Sequence, residues 1–566
     1  VIAWLAEQPW CSGSVGMWGI SWGGFNALQV AARRPPALKA IMTLCSTDNR
    51  YSDDAHYKGG CLTEENLKWG TMFLGTSSLP PDPDVVGQKW RKIWLERLET
   101  MTCYPELWMQ HPTFDDYWKH GSVCINYDDI QCPVYAVGGW ADGYANTIPR
   151  LMKNLSVPCK ALIGPWGHAF PHEAAPGPAI DFLNQSIRWW DYWLKGIDTG
   201  IMNESKWNIW VQESIKPASE YKIRPGYWTN TDVWPPENVG TTTYYLNPEG
   251  LKTSAQPESI LPIHSPLTTG LKSGDWCSFG MGPDQPVDQR SDDGQSLCFD
   301  TGHLENDVEV IGAPTVQLNL STDCKKAHII TRLCDVAPDG TSLFVSYGVL
   351  NLNFRNGFDN SNPIKQGEIY QISIQLDDCA HIFPKDHRIR IALSTNYWPM
   401  IWPAAESSTL FLQSGISKLE LPTRDSMRNT AEMPETFGPP EKLVPTICQL
   451  LGAPSQSKAG YNHDTDQKIT ETKRGFGFGS VRVTDINLDR SDSSILTNRI
   501  NDNDPLSAES DSFYNLQLKR GDWKVTTKVK LKLSATSDAY KLTGLLEAYE
   551  KDVRIYTRNW NYSIPR

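Results

Sequence analysis

The chain has 566 residues and a formal net charge of −12 at pH 7, so it lacks the basic character that general nucleic-acid binding needs. No uninterrupted apolar stretch approaches about 18 residues, and the sequence therefore predicts no membrane-spanning helix. A chain of this length is expected to form about three or four domains with substantial cores.

Cysteine and tryptophan usage adds two further expectations. The 13 cysteines are scattered, odd in number and without a C-x-x-C pair, so neither a zinc site nor a dense disulfide framework is predicted. We therefore expect no bound metal, and this cysteine usage favours a reducing compartment such as the cytoplasm. The 23 tryptophans are expected mainly in cores, with an aromatic substrate pocket as the alternative for some of them.

A glycine-rich turn with a central serine lies near the start of the chain, in the stretch SVGMWGISWGGFNALQVAARRP (residues 14–35). The apolar run at residues 15–20 predicts a buried strand, and the apolar spacing after Gly24 predicts a helix packed against it. Residues 19–23 form a G-x-S-x-G pentapeptide between the two, which is the setting of a nucleophile elbow. This setting predicts Ser21 as a nucleophile beside a helix N-terminus that stabilises an oxyanion. An ordinary strand-to-helix loop is the alternative.

The following segments alternate between strand-like and helix-like patterns. Strands are predicted at residues 38–45, 133–140 and 159–166, and a long amphipathic helix at residues 180–196. This alternation indicates a parallel sheet. Residues 48–130 show helical spacing and no strong strand pattern, so we interpret them as a helical cap inserted into that sheet.

The pattern changes at about residue 207. Short alternating runs separated by turn residues are typical of a β-sandwich or jelly roll. A polar, proline-containing stretch at residues 423–441 separates this region from a second β-rich region. We therefore predict an α/β domain at residues 1–206, a jelly-roll domain at residues 207–440 and a β-rich extension at residues 441–566.

A nucleophilic serine needs a base that takes its proton and an acid that orients the base. In hydrolases with a nucleophile elbow, the acid and then the histidine follow the serine along the chain, each in a loop after a strand. Asp142 follows the predicted strand at residues 133–140, and His168 follows the strand at residues 159–166. Ser21, Asp142 and His168 are therefore the predicted catalytic triad.

Other residues could fill these roles. His172 lies four residues past His168, farther from the strand, and Asp128 and Asp129 precede a strand at its opposite end. A single loop histidine is more often structural or solvated than catalytic, and Asp142 alone could be a turn former. The joint order of the three triad residues is what favours catalysis.

The elbow, the W-x-D-G motif at residues 140–143 and the G-P-W-x-H motif at residues 164–168 resemble the CocE/NonD family of serine hydrolases. This family contains X-Pro dipeptidyl-peptidases, cocaine esterase and α-amino-acid ester hydrolases. The resemblance covers about residues 1–430. It implies an α/β-hydrolase fold with a helical cap, followed by a jelly roll like the C-terminal domain of X-Pro dipeptidyl-peptidases.

The resemblance also implies a role for each motif residue. Ser21 would be the nucleophile, His168 the general base and then acid, and Asp142 the residue that orients His168. The backbone N–H of Trp22 would be one oxyanion donor, although the family usually has a tyrosine at this position. The aromatic residues that match the esterase acyl pocket are Trp69 and Tyr144. No metal or organic cofactor is implied.

The part of the family fold that precedes the elbow has no counterpart in the few residues before Ser21. In this family a tyrosine hydroxyl from that part completes the oxyanion hole, and several strands precede the elbow as well. Losing one oxyanion donor costs roughly 10²–10³ in rate. We therefore expect the natural protein to be longer at its N-terminus, and the chain that starts at Val1 to be poorly active or unstable.

The resemblance implies hydrolysis of an ester or amide bond in a small molecule or short peptide, through an acyl-enzyme. An X-Pro dipeptidyl-peptidase would need carboxylates for the substrate amine, and Glu64 and Glu65 are candidates. A carboxylesterase or α-amino-acid ester hydrolase is the alternative within the family, and a catalytically inactive jelly-roll binding protein is the alternative from another class. No nucleic-acid or membrane partner is expected, and a homo-oligomer stays open.

Overall fold

The computed structural model describes residues 1–280, 282–426, 437–441, 447–451, 456–474 and 479–566. In this part of the chain the α-helices are Ile2–Ala6, Trp22–Ala31, Glu64–Ser77, Pro83–Val86, Trp90–Thr100, Tyr104–Met109, Asp116–His120, Thr147–Asn154, Phe182–Lys195 and Arg290–Asp293. Short 3₁₀ helices span Gly87–Lys89, Val123–Ile125, Tyr127–Asp129, Ile201–Asn203, Leu352–Phe354 and Thr484–Ile486. Almost all of the helical residues therefore precede the β-rich part of the chain.

Five parallel strands form the sheet of the first part of the chain. From one edge inwards they are Val15–Ile20, Leu38–Leu44, Val134–Gly139, Cys159–Gly164 and Trp207–Gln212, each parallel to the next. Every residue of the third and fourth of these strands is buried, which explains their continuous apolar sequences. The predicted parallel sheet is confirmed, and the carboxyl ends of its strands form one rim. The prediction of a buried strand at Val15–Ile20 is wrong, because this strand lies at the edge of the sheet and is only partly buried.

Helices cover both faces of this sheet. Trp22–Ala31 and Thr147–Asn154 bury their apolar side chains against one face. Phe182–Lys195 buries Phe182 and Trp189 against the other face. This arrangement of helices on both faces of a parallel sheet is that of an α/β fold.

The helical insertion predicted at residues 48–130, here called the cap, lies between the second and third parallel strands. Its strands in the structure are the two-residue pair Tyr57–Lys58 and Cys61–Leu62, and the rest is helix and loop. Its longest helix, Glu64–Ser77, is called the cap helix below. Buried tryptophans such as Trp94 fill the core of the cap, as expected for most of the tryptophans.

The parallel sheet continues into the β-rich region. Trp207–Gln212 pairs along one edge with Gly226–Thr231. Its other edge pairs with Cys159–Gly164 and, at Gln212, with Cys379–Phe383, so both regions share one 15-stranded sheet. A separate four-stranded sheet contains His328–Val336, whose buried side chains share a core with those of Thr315–Thr322. The predicted β-rich domain is therefore confirmed as sheets packed face to face.

The strands of the β-rich region extend as far as residue 425. After Trp207–Gln212 they are Gly226–Thr231, Gly240–Asn247, Gly250–Lys252, Ile260–Ile263, Leu297–Asp300, Val308–Gly312, Thr315–Thr322, His328–Val336, Ser342–Asn351, Tyr370–Gln375, Cys379–Phe383, Arg388–Ser394, Leu410–Gln413 and Lys418–Asp425. Residues 427–436 of the predicted separating stretch lie outside the described residues. The domain boundaries at residues 206/207 and 440/441 stay predictions.

A further nine-stranded sheet, here called the C-terminal sheet, closes the chain. Its strands are Ile447–Leu451, Gln456–Asn462, Gln467–Arg474, Ser480–Val483, Leu488–Asn501, Asp504–Arg520, Trp523–Ala535, Ala539–Glu550 and Val553–Pro565. The last five pair in sequence as an antiparallel meander. This sheet packs on the cap, because buried residues of both, such as Leu531 and Trp94, belong to one hydrophobic core.

Two sequence expectations concern covalent links and membrane spans. The 12 cysteines other than Cys448 carry free thiols. Among the described residues, no helix is long and apolar enough to cross a membrane.

Candidate active site

Ser21 occupies a sharp turn between the strand Val15–Ile20 and the helix Trp22–Ala31. Its backbone has φ +59° and ψ −119°, a region that non-glycine residues adopt only under strain. A Cβ atom on Gly19 would lie 2.7 Å from the backbone of Gly23, so only glycine allows the strand and the helix to meet this closely. The turn has the geometry of a nucleophile elbow.

His168 and Asp142 form a hydrogen-bonded pair at the same end of the sheet. Nδ1 of His168 lies 2.9 Å from Oδ1 of Asp142, and the two side chains are 7% and 0% exposed. The backbone N–H of His168 donates to the carbonyl oxygen of Ser278 at 2.7 Å, which anchors the histidine loop to the β-rich region. Because Nδ1–H donates to the carboxylate, Nε2 is the ring nitrogen that can accept a proton.

The structure brings Ser21 to the same rim as this pair. Ser21 and Cys45 directly follow two paired parallel strands, and the Cys45 sulfur, a carboxylate oxygen of Asp142 and a ring nitrogen of His168 lie within 4.8 Å of one another. The ring of Tyr144 lies 5.8 Å from that of His168, and Tyr144 also lines the pocket at Ser21. The three residues of the predicted triad therefore gather at one end of the sheet.

A small pocket opens at Ser21. It is lined by Ser21, Trp22, Phe25, Ser46, Thr47, Arg50, Ala55, Trp69 and Tyr144. Its aromatic wall is continuous, because the ring of Phe73 stacks on Trp22 at 5.1 Å and on Trp69 at 5.8 Å. Trp69 and Tyr144, the two predicted pocket residues, both line this pocket.

Sequence reasoning missed a polar group in the pocket wall, formed by residues of the cap. A guanidinium nitrogen of Arg50 lies 2.8 Å from Oδ2 of the buried Asp54, and the Tyr144 hydroxyl donates to Oδ1 of Asp54 at 3.0 Å. The other terminal nitrogen of Arg50 lies 3.0 Å from Nε2 of His56. Burial, with the charge of Arg50, holds the pKa of His56 well below its usual value, so this imidazole is neutral and accepts from Arg50. No motif marked these residues in the sequence.

Two buried thiols flank the carboxylate of Asp142. The Cys277 sulfur lies 3.6 Å from Oδ1 of Asp142. Cys45 follows the strand Leu38–Leu44, which pairs with the strand that precedes Ser21. Burial raises the pKa of both thiols well above their ordinary value, and the charge of Asp142 adds to this effect. Both thiols therefore stay protonated and can donate weakly to the carboxylate. The position of Cys45 directly after a predicted parallel strand could have marked it as a residue of the site. Cys277 carries no such signal in the sequence.

Cys45, Asp142 and His168 are also the one group of potential metal ligands whose donor atoms lie close together in the described part of the chain. A thiol binds metal as the thiolate, and the raised pKa of Cys45 disfavours that form. Nδ1 of His168 and Oδ1 of Asp142, the other two potential metal-ligand atoms, already bind each other. The chemistry of this set therefore fits a proton-transfer pair better than a metal centre.

The alternative acid and base residues lie elsewhere. Asp129 pairs with Arg34 on the surface, and the Asp128 carboxylate accepts from the Ser156 hydroxyl at 2.9 Å. The ring of His172 stacks on Phe182, away from the Asp142 carboxylate. These contacts are structural and lie outside the pocket at Ser21.

The two candidate amine ligands on the cap helix also have other partners. Glu65 binds Lys68 at 2.8 Å, and Glu64 accepts a hydrogen bond from Asn498 of the C-terminal sheet. Neither is among the residues that line the pocket at Ser21. The structure therefore does not bring these carboxylates to the predicted nucleophile.

A parallel sheet with a strained serine and a histidine–aspartate pair at the same rim is the arrangement of the α/β-hydrolase class. Comparison with known families agrees with this class. Residues 1–170 match the family described as X-Pro dipeptidyl-peptidase (S15 family), and residues 199–432 match the X-Pro dipeptidyl-peptidase C-terminal non-catalytic domain. The chain belongs to this family of serine hydrolases, which confirms the CocE/NonD resemblance.

Similar proteins are named either as esterases or as Xaa-Pro dipeptidyl-peptidases. The chain is 23% identical over 444 residues to the cocaine esterase of Rhodococcus sp., covering 70% of this chain and 75% of the esterase. It is 22% identical over 474 residues to a putative Xaa-Pro dipeptidyl-peptidase of Streptomyces avermitilis, covering 74% of this chain and 63% of that protein.

Solved structures show the same fold. An aminopeptidase from a marine sediment archaeon, Thaumarchaeota archaeon, superposes with a TM-score of 0.59 at 18% identity, covering 74% of this chain and 79% of that one. A CocE/NonD family hydrolase from Staphylococcus aureus gives a TM-score of 0.57 at 17% identity, covering 75% and 74%. At these identities the structural likeness concerns the fold alone.

Proposed function

We propose that this serine hydrolase cleaves acyl bonds with Ser21 as nucleophile, His168 as general base and Asp142 as the residue that orients His168. The observation that carries the proposal is the 2.9 Å hydrogen bond between His168 and Asp142 at the rim that also holds Ser21. The burial of this pair strengthens its electrostatic interaction. The protonated thiols beside Asp142 help to hold the carboxylate in place.

The reaction runs in two steps. The Ser21 hydroxyl oxygen attacks the acyl carbon while Nε2 of His168 takes the hydroxyl proton. The backbone N–H of Trp22 donates to the oxyanion, because it is the first N–H of its helix and has no acceptor within the helix. When the intermediate collapses, the leaving alcohol or amine takes the proton from His168. Water then attacks the acyl-enzyme by the same route and releases the acid and Ser21.

An ester with an apolar or aromatic acyl group is the substrate class that the pocket fits best. Its wall is built from aromatic rings, and the charge of Arg50 is balanced by Asp54. The pocket lining lacks Glu64 and Glu65, so it offers neither of the carboxylates predicted to bind a substrate amine. The match to a protein named cocaine esterase favours the same class.

X-Pro dipeptidyl-peptidase activity is the second candidate. It is favoured by the match of residues 1–170 to the S15 family and by relatives named as putative Xaa-Pro dipeptidyl-peptidases. We also propose that residues 207–440 form the jelly-roll domain of this family, since the sheets there pack around one core. That domain would follow an α/β domain at residues 1–206.

The test is to label the full-length protein with a fluorophosphonate probe. We expect the probe to label the protein, and Ser21→Ala to abolish labelling and to lower ester hydrolysis about 10⁴-fold or more. The matched control is Ser46→Ala, because Ser46 lines the same pocket but its hydroxyl hydrogen-bonds to Thr43 at 2.6 Å. Unchanged labelling of Ser21→Ala would contradict the proposal, because another residue would then be the nucleophile. Absence of labelling in the unmodified protein would favour the catalytically inactive binding protein.

Substrates then separate the two enzyme classes. We expect turnover of p-nitrophenyl acetate and p-nitrophenyl benzoate to exceed that of Gly-Pro and Ala-Pro p-nitroanilides. Faster turnover of the dipeptide anilides, with Ser21 still labelled, would establish the second candidate instead.

A further inference from the structure

The C-terminal sheet follows both regions of the sequence that match the family, and it packs against the cap. The two share one hydrophobic core, to which the cap contributes Trp90 and Trp94 and the sheet contributes Leu531. At the edge of this core, Arg520 of the sheet binds the carboxylate of Asp82 in the cap, with Nη1 at 3.0 Å from Oδ2. The sheet is therefore part of the cap's packing rather than a separate appendage.

The C-terminal half of the cap helix packs tightly against this sheet. A Cβ atom on Gly75 would lie 2.4 Å from Cδ1 of Tyr514, so the helix approaches the sheet at a position where only glycine fits. The hydroxyl of Thr527 donates to the Gly75 carbonyl oxygen at 3.1 Å in a buried position. Met72, one turn earlier, packs against Tyr514 and Leu516.

The N-terminal end of the cap helix is held as well. Glu64, its first residue, accepts a hydrogen bond from Nδ2 of Asn498 in the sheet. Asn498 is itself 3% exposed and its Oδ1 accepts from the hydroxyl of Ser510. Both ends of the 14-residue helix are therefore fixed by the C-terminal sheet.

Two other residues of the cap helix contact the pocket. Trp69 and Phe73 are four residues apart, so they lie on one side of the helix. The Phe73 ring stacks on Trp22 at 5.1 Å with an angle of 27° between the planes, and Trp22 is the neighbour of Ser21. A displacement of the helix relative to the sheet would therefore move the aromatic wall of the pocket relative to the nucleophile.

We propose that the C-terminal sheet positions the cap helix and thereby decides which acyl groups the pocket accepts. The inference rests on the proposed role of Ser21, because it concerns the pocket at that residue. Neither Tyr514 nor Thr527 is among the residues that line the pocket at Ser21. They act through the helix, and so they are positioning residues for acyl selectivity.

The test compares two interface variants with two matched controls in the full-length protein. Tyr514→Ala removes the ring beneath Gly75, and Thr527→Val removes the hydrogen bond while keeping the shape. Phe513→Ala and Thr543→Val are the controls, since Phe513 points to the opposite face of the strand and Thr543 is exposed. The measured quantity is the ratio of kcat/KM for p-nitrophenyl benzoate to that for p-nitrophenyl acetate.

We expect Tyr514→Ala to change this ratio about 10-fold and Thr527→Val about 3-fold, because small displacements of pocket walls have large effects on bound geometry. Activity on the small acetyl ester should stay within about 3-fold, and both controls should keep the ratio within about 2-fold. The rate of fluorophosphonate labelling, measured for every variant, reports separately on the nucleophile.

Three outcomes are informative. A changed ratio with unchanged labelling supports the inference. Unchanged ratios in both interface variants, or equal losses on both esters, would overturn it and leave the sheet a purely stabilising role. Absence of labelling in the unmodified protein would instead remove the proposed function of Ser21, and with it the basis of this inference.

Discussion

The rim of the sheet at Ser21 and the cap side of the pocket are built in different ways. At the rim, Ser21, Asp142 and His168 each stand within about four residues of the end of a parallel strand, so the sheet fixes their positions directly. On the cap side, the wall at Trp69 belongs to a helix held by residues as much as 452 positions away in sequence. The comparison teaches that local motifs set the chemistry here, whereas long-range packing shapes the space that the substrate fills.

The largest effect is expected at the rim. Asp142→Asn keeps the shape of the side chain but removes the charge that orients His168 and stabilises its protonated form. We expect kcat/KM to fall about 10³–10⁴-fold for acetyl and benzoyl esters alike. Steady-state kinetics on both p-nitrophenyl esters measures this loss.

Asp128→Asn is the control for this variant, because Asp128 lies at the opposite end of a strand and binds Ser156. It should change kcat/KM less than about 2-fold. If Asp142→Asn retained most of the activity, this result would contradict the proposed role of Asp142 in orienting His168.

A smaller and selective effect is expected on the cap side. Trp69→Ala removes one aromatic ring from the pocket wall, so we expect kcat/KM to fall about 10-fold for the benzoyl ester and about 2-fold for the acetyl ester. Trp10→Ala, at a tryptophan that is 71% exposed, should leave both values unchanged. Equal losses on both esters would show that the wall at Trp69 does not discriminate between acyl groups.

The smallest effect concerns stability at the joint between the cap helix and the C-terminal sheet. Burial raises the pKa of Glu64 from an ordinary value of 4.5 to about 7, an effect that Asp275 and Glu65 reinforce and that Lys68 and Asn498 oppose. The folded state therefore binds a proton that the unfolded state has released, and the stabilisation present below about pH 4.5 is lost as the pH rises towards 7.

Glu64→Gln removes this titration. Relative to the unmodified protein, its free energy of unfolding should gain on the order of 2 kcal/mol between pH 5 and pH 8. Urea unfolding at the two pH values measures the difference. Glu99→Gln, at an exposed residue of the neighbouring helix, should follow the unmodified protein at both, and a parallel response of Glu64→Gln would contradict the assigned pKa.

Sequence patterns predicted the parallel sheet and brought out the residues at its rim, because both depend on short-range signals. The strand-to-helix spacing around Ser21 is readable within about ten residues, and Asp142 and His168 follow strands whose continuous apolar character is unmistakable. The catalytic roles themselves remain predictions until Ser21 is tested.

The rest of the site depends on contacts that no short pattern encodes. Cys277 reaches Asp142 from 135 positions away, and Arg50 enters the pocket wall from a loop without a motif. The sequence marks Glu64 only as a candidate ligand for a substrate amine. Only the packing of the C-terminal sheet shows that Asn498 binds it.

The continuous 15-stranded sheet restricts how this molecule can move. Trp207–Gln212 pairs with Cys159–Gly164 along one edge and with Gly226–Thr231 along the other, so a hinge between the α/β part and the β-rich part would have to break backbone hydrogen bonds. We therefore expect any motion that widens the pocket at Ser21 to arise within the cap rather than at this junction.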